Sequence, residues 1–220
     1  MAAGFTWNMM YREFVAICQK QRVGTVIPSQ FAILWNQAQE EEVANMLKVM
    51  EVNKDIYDSL MPLKRIASNQ VFTVTTNTFG LRVATFTPAN PVRRILKLSV
   101  RLNGSGYPVK CVLIKSNEST DILNGVFSRP SQHQCYYSKD NNANDTVTVY
   151  VPTATTTVNG YLEYYVEPPL VATATVTSTT LESVFNKEVC SKIIQIAARM
   201  YIERVQDARY PTYNNEIKQS

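Results

Sequence analysis

The first 70 residues place apolar side chains at the spacing of an α-helix. Two neighbouring stripes run along a first helix, comprising Met10, Phe14, Ile17 and Gln21, and beside them Tyr11, Val15 and Cys18. Gly24 suits a helix C-terminus, and Pro28 opens a second helix because proline is tolerated in a first turn. The stripe of the second helix comprises Phe31, Leu34, Trp35, Ala38, Val43, Met46, Leu47 and Met50. The glutamates at 40–42 interrupt this stripe, and we expect two of them to face water while the helix continues.

Near residue 70 the apolar period changes to two, which is typical of β-strands. The clearest strand alternates two sets of residues, the apolar Leu96, Leu98, Val100 and Leu102 and the polar Lys97, Ser99 and Arg101. The apolar set should face a core. Seven strands are predicted, over residues 71–76, 81–85, 96–102, 109–114, 134–138, 146–151 and 160–166. The polar run 141–145 indicates a hairpin loop. Short strands separated by turn signals favour a small antiparallel sandwich or barrel.

A closing helix follows the Pro-Pro pair at 168–169. Residues 171–180 are rich in Thr and Ala and predict either an extended arm or a last strand. Ser183 is the expected start of the helix, whose two apolar stripes comprise Phe185, Val189, Ile193, Ile196 and Met200, and beside them Cys190, Ile194, Ala197, Tyr201 and Val205. One stripe is enough to pack the helix on the N-terminal helices, so the second should contact partners. The polar end from Gln206 has no period and predicts a tail.

These elements predict an α+β fold. Residues 1–70 form a helical segment, 71–170 an antiparallel β domain, and 171–220 an arm, a closing helix and a polar tail. The simplest packing places the N- and C-terminal helices together, with an antiparallel β-sandwich or barrel inserted between them.

The amino-acid composition argues against several classes of functional site. The chain has 220 residues, 45% hydrophobic and 18% charged, which excludes disorder along its whole length. A single histidine and only 7 glycines argue against histidine metal clusters and glycine-rich phosphate loops. The four cysteines form no CxxC pair, so we expect reduced, mostly buried thiols. The first residues lack the pattern of a secretory signal, and no apolar run is long enough to span a bilayer, so no membrane association is expected.

The formal net charge is +4, and the positive excess lies in the β domain. Four of its basic residues, Arg93, Arg94, Lys97 and Arg101, come within nine positions of one another. Such a group is typical of a weak nucleic-acid patch or of a solvated strand edge, and the second interpretation is favoured.

Candidate catalytic groups are few. His133 and Cys135 lie two residues apart on one strand, where they share a face without a third orienting group. Glu163 and Glu167 also share a strand face, and a solvated strand surface accounts for both. The run 140–145 has the composition of a calcium loop but lacks the spacing of an EF-hand. We therefore expect no enzyme activity, no catalytic residue, no metal and no cofactor.

Two tyrosine pairs, at 136–137 and 164–165, leave two interpretations open. Exposed tyrosines could stack on bases or sugars, whereas tyrosines in strands more often pack against their neighbours.

Three groups of segments, taken in order, resemble head–tail connector, or neck ring, proteins of tailed phages, and most closely those of the crAss-like short-tailed gut phages. The first group is YREF at 11–14, IPSQF at 27–31 and NQAQ at 36–39. The second is FSRPS at 127–131, YY at 136–137, TVYVP at 148–152 and LEYYVEPP at 162–169. The third is IIQIAARMYIERVQD at 193–207.

This resemblance implies a virion structural protein, made in the host cytoplasm and placed in the neck between head and tail. It implies a homo-oligomeric ring, commonly twelvefold, that contacts the portal and adjacent tail or neck ring proteins and surrounds passing DNA without sequence specificity. The double-striped helix and the tail are the expected interface, with contacts from Ile194, Tyr201, Arg204, Val205, Arg209, Tyr210 and Tyr213. An alternative is a tail-associated β-sandwich that binds glycans or a host surface through its tyrosines.

Overall fold

The computed structural model describes residues 5–20, 25–50, 53–77, 80–104, 107–114, 129–139 and 145–217, with side chains after residue 205 and at 54–55 not described. The chain divides into two compact units. The helical unit combines Met1–Pro62 with Pro168–Ser220, and the barrel unit is Leu63–Glu167. The predicted α+β fold is confirmed: the terminal helices pack together, and a seven-stranded mixed β-barrel is inserted between them.

The helical unit contains helices α1 (Trp7–Lys20), α2 (Pro28–Val49), α3 (Lys54–Leu60), α4 (Thr173–Val176) and α5 (Lys187–Ile217), with a 3₁₀ turn at Met61–Leu63. Aromatic rings form its centre. Trp7 of α1 meets Trp35 of α2 edge-on at 4.8 Å between centroids, and Phe14 meets Phe31 at 4.9 Å. Tyr201 of α5 reaches the Phe14 ring at 6.1 Å. Because the three long helices share these rings, the two ends of the chain form one core.

The glutamate run does not end α2. Glu40, Glu41 and Glu42 are all half-buried within a continuous helix, so the expectation that the helix continues is confirmed. The proposed helix end at Gly24 lies outside the described residues.

Three expectations for the C-terminal third were wrong. Residues 171–180 form neither an arm nor a strand, because the short helix α4 buries Val176 and the preceding Val171. The last helix begins after Asn186, not at Ser183, since the Asn186 Oδ1 accepts the Val189 backbone N–H at 2.9 Å as an N-cap. The segment from Gln206 continues α5 as helix to residue 217.

The barrel unit contains strands β1 (Lys64–Thr76), β2 (Arg82–Phe86), β3 (Val92–Leu102), β4 (Val109–Leu113), β5 (Cys135–Lys139), β6 (Val147–Tyr150) and β7 (Val158–Val166). They close in the order β1-β2-β6-β5-β4-β3-β7, and β7 pairs with β1. Strand β1 begins seven residues before the predicted start because its polar first half pairs with β7. Within the described helices, none is both long and apolar enough to cross a membrane.

The expectation of a purely antiparallel sheet was wrong at one pair. Strands β4 and β5 run parallel, with Cys111 opposite Cys135. Parallel neighbours need a long connection that returns the chain to the same end, and 21 residues, 114–134, separate the end of β4 from the start of β5. Strands β5 and β6 pair antiparallel as predicted for a hairpin, although the loop residues 140–144 lie outside the described part of the chain.

Strand β3 shows the predicted alternation with one interruption. Leu98, Val100 and Leu102 are buried, whereas Leu96 is only half-buried. The pairing with β7 shifts register between Ile95 and Lys97, so Leu96 is the extra residue of a β-bulge. The expected core orientation is therefore confirmed for three of the four apolar residues.

Candidate functional site

The second stripe of α5 is core and not free surface. Cys190, Ile194 and Ala197 are fully buried, and Tyr201 is 9% exposed. The expectation that Ile194 and Tyr201 lie on a partner surface was therefore wrong. The physical reason is that α5 packs against both α1 and α2, so two stripes each find a helix within the same chain.

The polar side of α5 is tied to α2 instead of being left open. The Arg204 Nη2 donates to the Gln37 Oε1 at 2.7 Å, and the Arg199 Nη2 lies 2.9 Å from the Glu41 Oε1. Val205 is half-buried. The remaining expected interface residues, Arg209, Tyr210 and Tyr213, lie on the helical backbone of α5, but their side chains are outside the described residues.

Two amides of α2 clamp the chain where it re-enters the helical unit. The Asn36 side chain accepts the Val171 backbone N–H at 2.9 Å and donates to the Val171 carbonyl at 3.1 Å. Gln39, only 1% exposed, accepts from the Trp35 Nε1 at 3.0 Å and donates to the Pro169 carbonyl at 3.0 Å. The NQAQ segment at 36–39 therefore has a structural role, because buried amide groups need hydrogen-bond partners and these two amides find them in the backbone of 169–171 and in Trp35.

The candidate nucleophile pair does not form. His133 is exposed in the turn before β5, where its backbone N–H contacts the Ser131 Oγ at 3.3 Å. Cys135 is fully buried and its thiol points to the Ser131 carbonyl and to Cys111. The Cys111 thiol donates a hydrogen bond to the Cys135 sulfur, and this bond together with burial raises the pKa of the Cys111 thiol. No hydrogen bond joins His133 to Cys135 within the described residues, so neither thiol is activated by the histidine.

The two candidate catalytic carboxylates, Glu163 and Glu167, each form a salt bridge with a different basic residue. Glu163 forms a salt bridge with Lys64, and the Glu167 Oε2 lies 2.6 Å from the Arg93 Nη1. Each carboxylate therefore has its own cation, which does not fit a paired general acid and base. Because Glu167 compensates its charge, Arg93 does not add to the positive charge of the basic group at 93–101 that the sequence suggested.

The one described residue of the acidic loop has a structural role. The Asp145 carboxylate accepts the Val92 backbone N–H at 2.9 Å and lies 3.0 Å from the Lys139 Nζ. Residues 140–144 lie outside the described part of the chain. Among the described residues, no three histidine, cysteine or acidic side chains come together as metal ligands.

The paired tyrosines pack inside the structure. Tyr136, Tyr137, Tyr164 and Tyr165 are all at most 8% exposed. They are unavailable for stacking on bases or sugars, and the packing interpretation is confirmed. The tyrosines that do reach solvent in the barrel unit include Tyr107, which is 87% exposed, and the half-buried Tyr161.

Two concave surfaces of the barrel unit carry accessible polar groups. One is a hollow of about 240 Å³ on the outer face of β3 and β7, lined by Asn69, Lys97, Ser99, Arg101, Pro108, Asn159, Gly160 and Tyr161. The other, about 530 Å³, lies beside the β3–β4 turn, with Tyr107, Asn103, Gln132 and His133 among its lining residues. We call them the basic face and the end cavity. The sequence indicated Lys97 and Arg101 but neither surface as a whole, because each joins residues that are far apart in the chain, such as Lys97 with Tyr161 or Asn103 with His133.

The Asn103 side chain builds one wall of the end cavity. Its Oδ1 accepts the backbone N–H groups of Thr156 and Thr157 at 2.8 and 3.2 Å. Its backbone has a φ of 50°, in the left-handed region where asparagine is enriched. These contacts hold the β3–β4 turn to the loop before β7.

Exposed apolar side chains lie on both sides of the basic face. On β1, Ile66 is 57% and Val71 78% exposed, and on β4, Val112 is 46% and Leu113 57% exposed. The barrel order places β3 and β7 between these two strands. The β1 patch, Ile66 and Val71, and the β4 patch, whose outward residue is Val112, are therefore separate, while Leu113 points to the opposite side of β4.

Comparison with known proteins adds no family assignment, since no protein-family model and no curated protein matches the chain.

Proposed function

We propose that the protein is a virion structural protein, one subunit of a homo-oligomeric connector ring in the neck of a tailed phage. The observation that supports the proposal best is the pair of separate apolar patches on β1 and β4. A ring of identical subunits needs two different, complementary surfaces on each subunit, because its contacts are head-to-tail. In this arrangement, the β4 patch of one subunit packs on the β1 patch of the next.

The remaining features agree with an assembly role. Each candidate catalytic group among the described residues is buried, ion-paired or isolated, as set out above. The ring then contacts the portal on one side and an adjacent neck or tail ring protein on the other. DNA passes through its centre without sequence-specific contacts. Twelvefold symmetry and location in the virion after synthesis in the host cytoplasm belong to the same proposal.

Light scattering coupled to size-exclusion chromatography tests the ring, together with electron microscopy of the purified full-length chain. We expect particles of many times the 24.9 kDa subunit mass, with a central opening. The double variant Ile66→Glu/Val71→Glu should shift the population to monomer, since burying unpaired charge in an apolar interface is strongly unfavourable.

The control adds the same charge to the same strand at Thr73→Glu/Thr75→Glu, two exposed positions. It should assemble like the unmodified chain. A monomer at every concentration, or equal assembly by both double variants, would contradict the proposed interface.

The end cavity supports a second candidate, a tail-associated binding module for glycans or a host surface. Its exposed Tyr107 ring and nearby amide side chains are groups that can stack on and hydrogen-bond a sugar. Glycan-array binding by a monomer, lost in Tyr107→Ala, would favour this module over the ring.

A further inference from the structure

The alternation of β3 places its polar residues in one outward row. Lys97 and Arg101 are exposed, while the intervening Ser99 lies beneath them at 9% exposure. Strand register extends the row sideways, because residues directly opposite each other point to the same face. Ser99 pairs with Lys110 of β4 on one side and with Tyr161 of β7 on the other.

Three cations, Lys97 and Arg101 of the basic face and the adjoining Lys110 of β4, have no carboxylate partner in the described part of the chain. Within the described ranges, no ion pair involves Lys97, Arg101 or Lys110, and the neighbouring Glu163 is already bridged to Lys64. The Lys97 Nζ lies 5.6 Å from the centroid of the Tyr161 ring. This cation–π contact does not neutralise the lysine, so its positive charge can still attract an anion. Among the described residues, the basic face and Lys110 therefore carry a local net positive charge.

The spacing of the charges on the basic face and the size of the hollow between them indicate which kind of anion the face can bind. Four residues along a strand separate Lys97 from Arg101 by about 13 Å at the backbone. That distance exceeds the Debye length of about 8 Å at physiological salt, so the two charges act as separate contacts. The hollow between them, about 240 Å³, is smaller than a typical small-molecule site. An extended polyanion that offers one small charged group at each contact fits better than a metabolite.

We propose that the basic face, with Lys97, Arg101 and Tyr161, binds the phosphodiester backbone of DNA together with the adjoining Lys110 of β4, without reading its sequence. The cations contact phosphates, and the hydroxyl and amide groups of Ser99 and Asn159 are placed to contact phosphate or sugar oxygens. Such contacts position a nucleic acid but carry no base information.

The identity of this polyanion rests on the proposed function, in which DNA passes through the ring. Lys97, Arg101 and Tyr161 of β3 and β7 also lie between the two apolar patches, so ring contacts through the apolar residues of β1 and β4 would leave these three uncovered. DNA binding by the unassembled chain is nevertheless a separate measurement. A chain that fails to form rings can still bind DNA through this face, and a ring can form without doing so.

Fluorescence anisotropy of a labelled 20-base-pair duplex with the full-length chain, between 50 and 200 mM NaCl, tests the assignment. Three phosphate contacts contribute about −2.7 to the slope of log K against log salt concentration. The triple variant Lys97→Gln/Arg101→Gln/Lys110→Gln should weaken binding at 50 mM NaCl about tenfold or more. It should also make the slope shallower by about 2 to 3. Two duplexes of unrelated sequence should bind alike.

The matched control is Arg12→Gln/Lys20→Gln/Lys48→Gln, which removes the same charges from exposed positions of the helical unit. It should bind DNA within threefold of the unmodified chain, and circular dichroism should show that both variants are folded. Equal losses in the two triple variants would overturn the assignment, because net charge alone would then explain binding. No loss in the first variant, or binding of an acidic peptide in preference to DNA, would overturn it as well.

Discussion

Replacing Leu98 with alanine removes three carbon atoms from a side chain that is 2% exposed in β3. Its partner across the strand pair, Leu162 of β7, is fully buried. At about 0.8 kcal/mol for each buried carbon, the lost transfer free energy is about 2.4 kcal/mol. The cavity adds to this figure where the barrel cannot relax, so the free energy of unfolding should fall by about 2.5 to 5 kcal/mol.

Tryptophan fluorescence and hydrogen exchange distinguish the two units of this chain. Both tryptophans, Trp7 and Trp35, lie in the helical unit, so their fluorescence reports on that unit alone. Far-ultraviolet circular dichroism in urea reports on both units, and hydrogen exchange measured on β3 peptides isolates the barrel. Leu98→Ala should lower the protection of those peptides together with the midpoint of barrel unfolding.

The control for this experiment is Leu96→Ala. Because Leu96 is a half-buried bulge residue, its replacement should cost about 1 kcal/mol. If Leu98→Ala changes the barrel stability by no more than Leu96→Ala does, the assigned register of β3 against β7 is wrong.

Four further outcomes are expected. Gly160→Ala should destabilise the barrel by about 1 to 3 kcal/mol in urea unfolding, because an added Cβ would overlap the Phe72 ring. Gln39→Leu should lower the tryptophan-monitored stability by about 2 kcal/mol or more, since it leaves a buried indole N–H and a backbone carbonyl unpaired. Burial raises the pKa of the Cys18 thiol to about 11, so iodoacetamide at pH 8 should label it about a hundredfold more slowly in the native chain than in urea, and faster as pH rises. Truncation after Gln206 should leave a folded chain that enters particles poorly, as measured by its incorporation beside the full-length protein.

Local periodicity was sufficient to predict the strands and the long helices of this fold. All seven strands and the three long helices lie where the apolar spacing of two or of 3.6 places them, because each pattern is a property of neighbouring residues. The inserted arrangement of the β domain also followed from the order of these elements. What failed at this level were boundaries, such as the N-cap at Asn186 and the continuation of α5 past Gln206, and one short element, the helix α4, which was predicted as an arm or a strand.

The roles of individual side chains depended on residues far away in the chain. The second stripe of α5 is buried because α1 and α2 both reach it, and Arg93 is neutralised by Glu167, 74 positions later. The parallel pairing of β4 with β5 likewise depends on a long connection and not on the strands themselves. The basic face exists for the same reason. Lys110, Arg101 and Tyr161 come together only when three strands align in register, and pairing between strands is a tertiary event that no local period encodes.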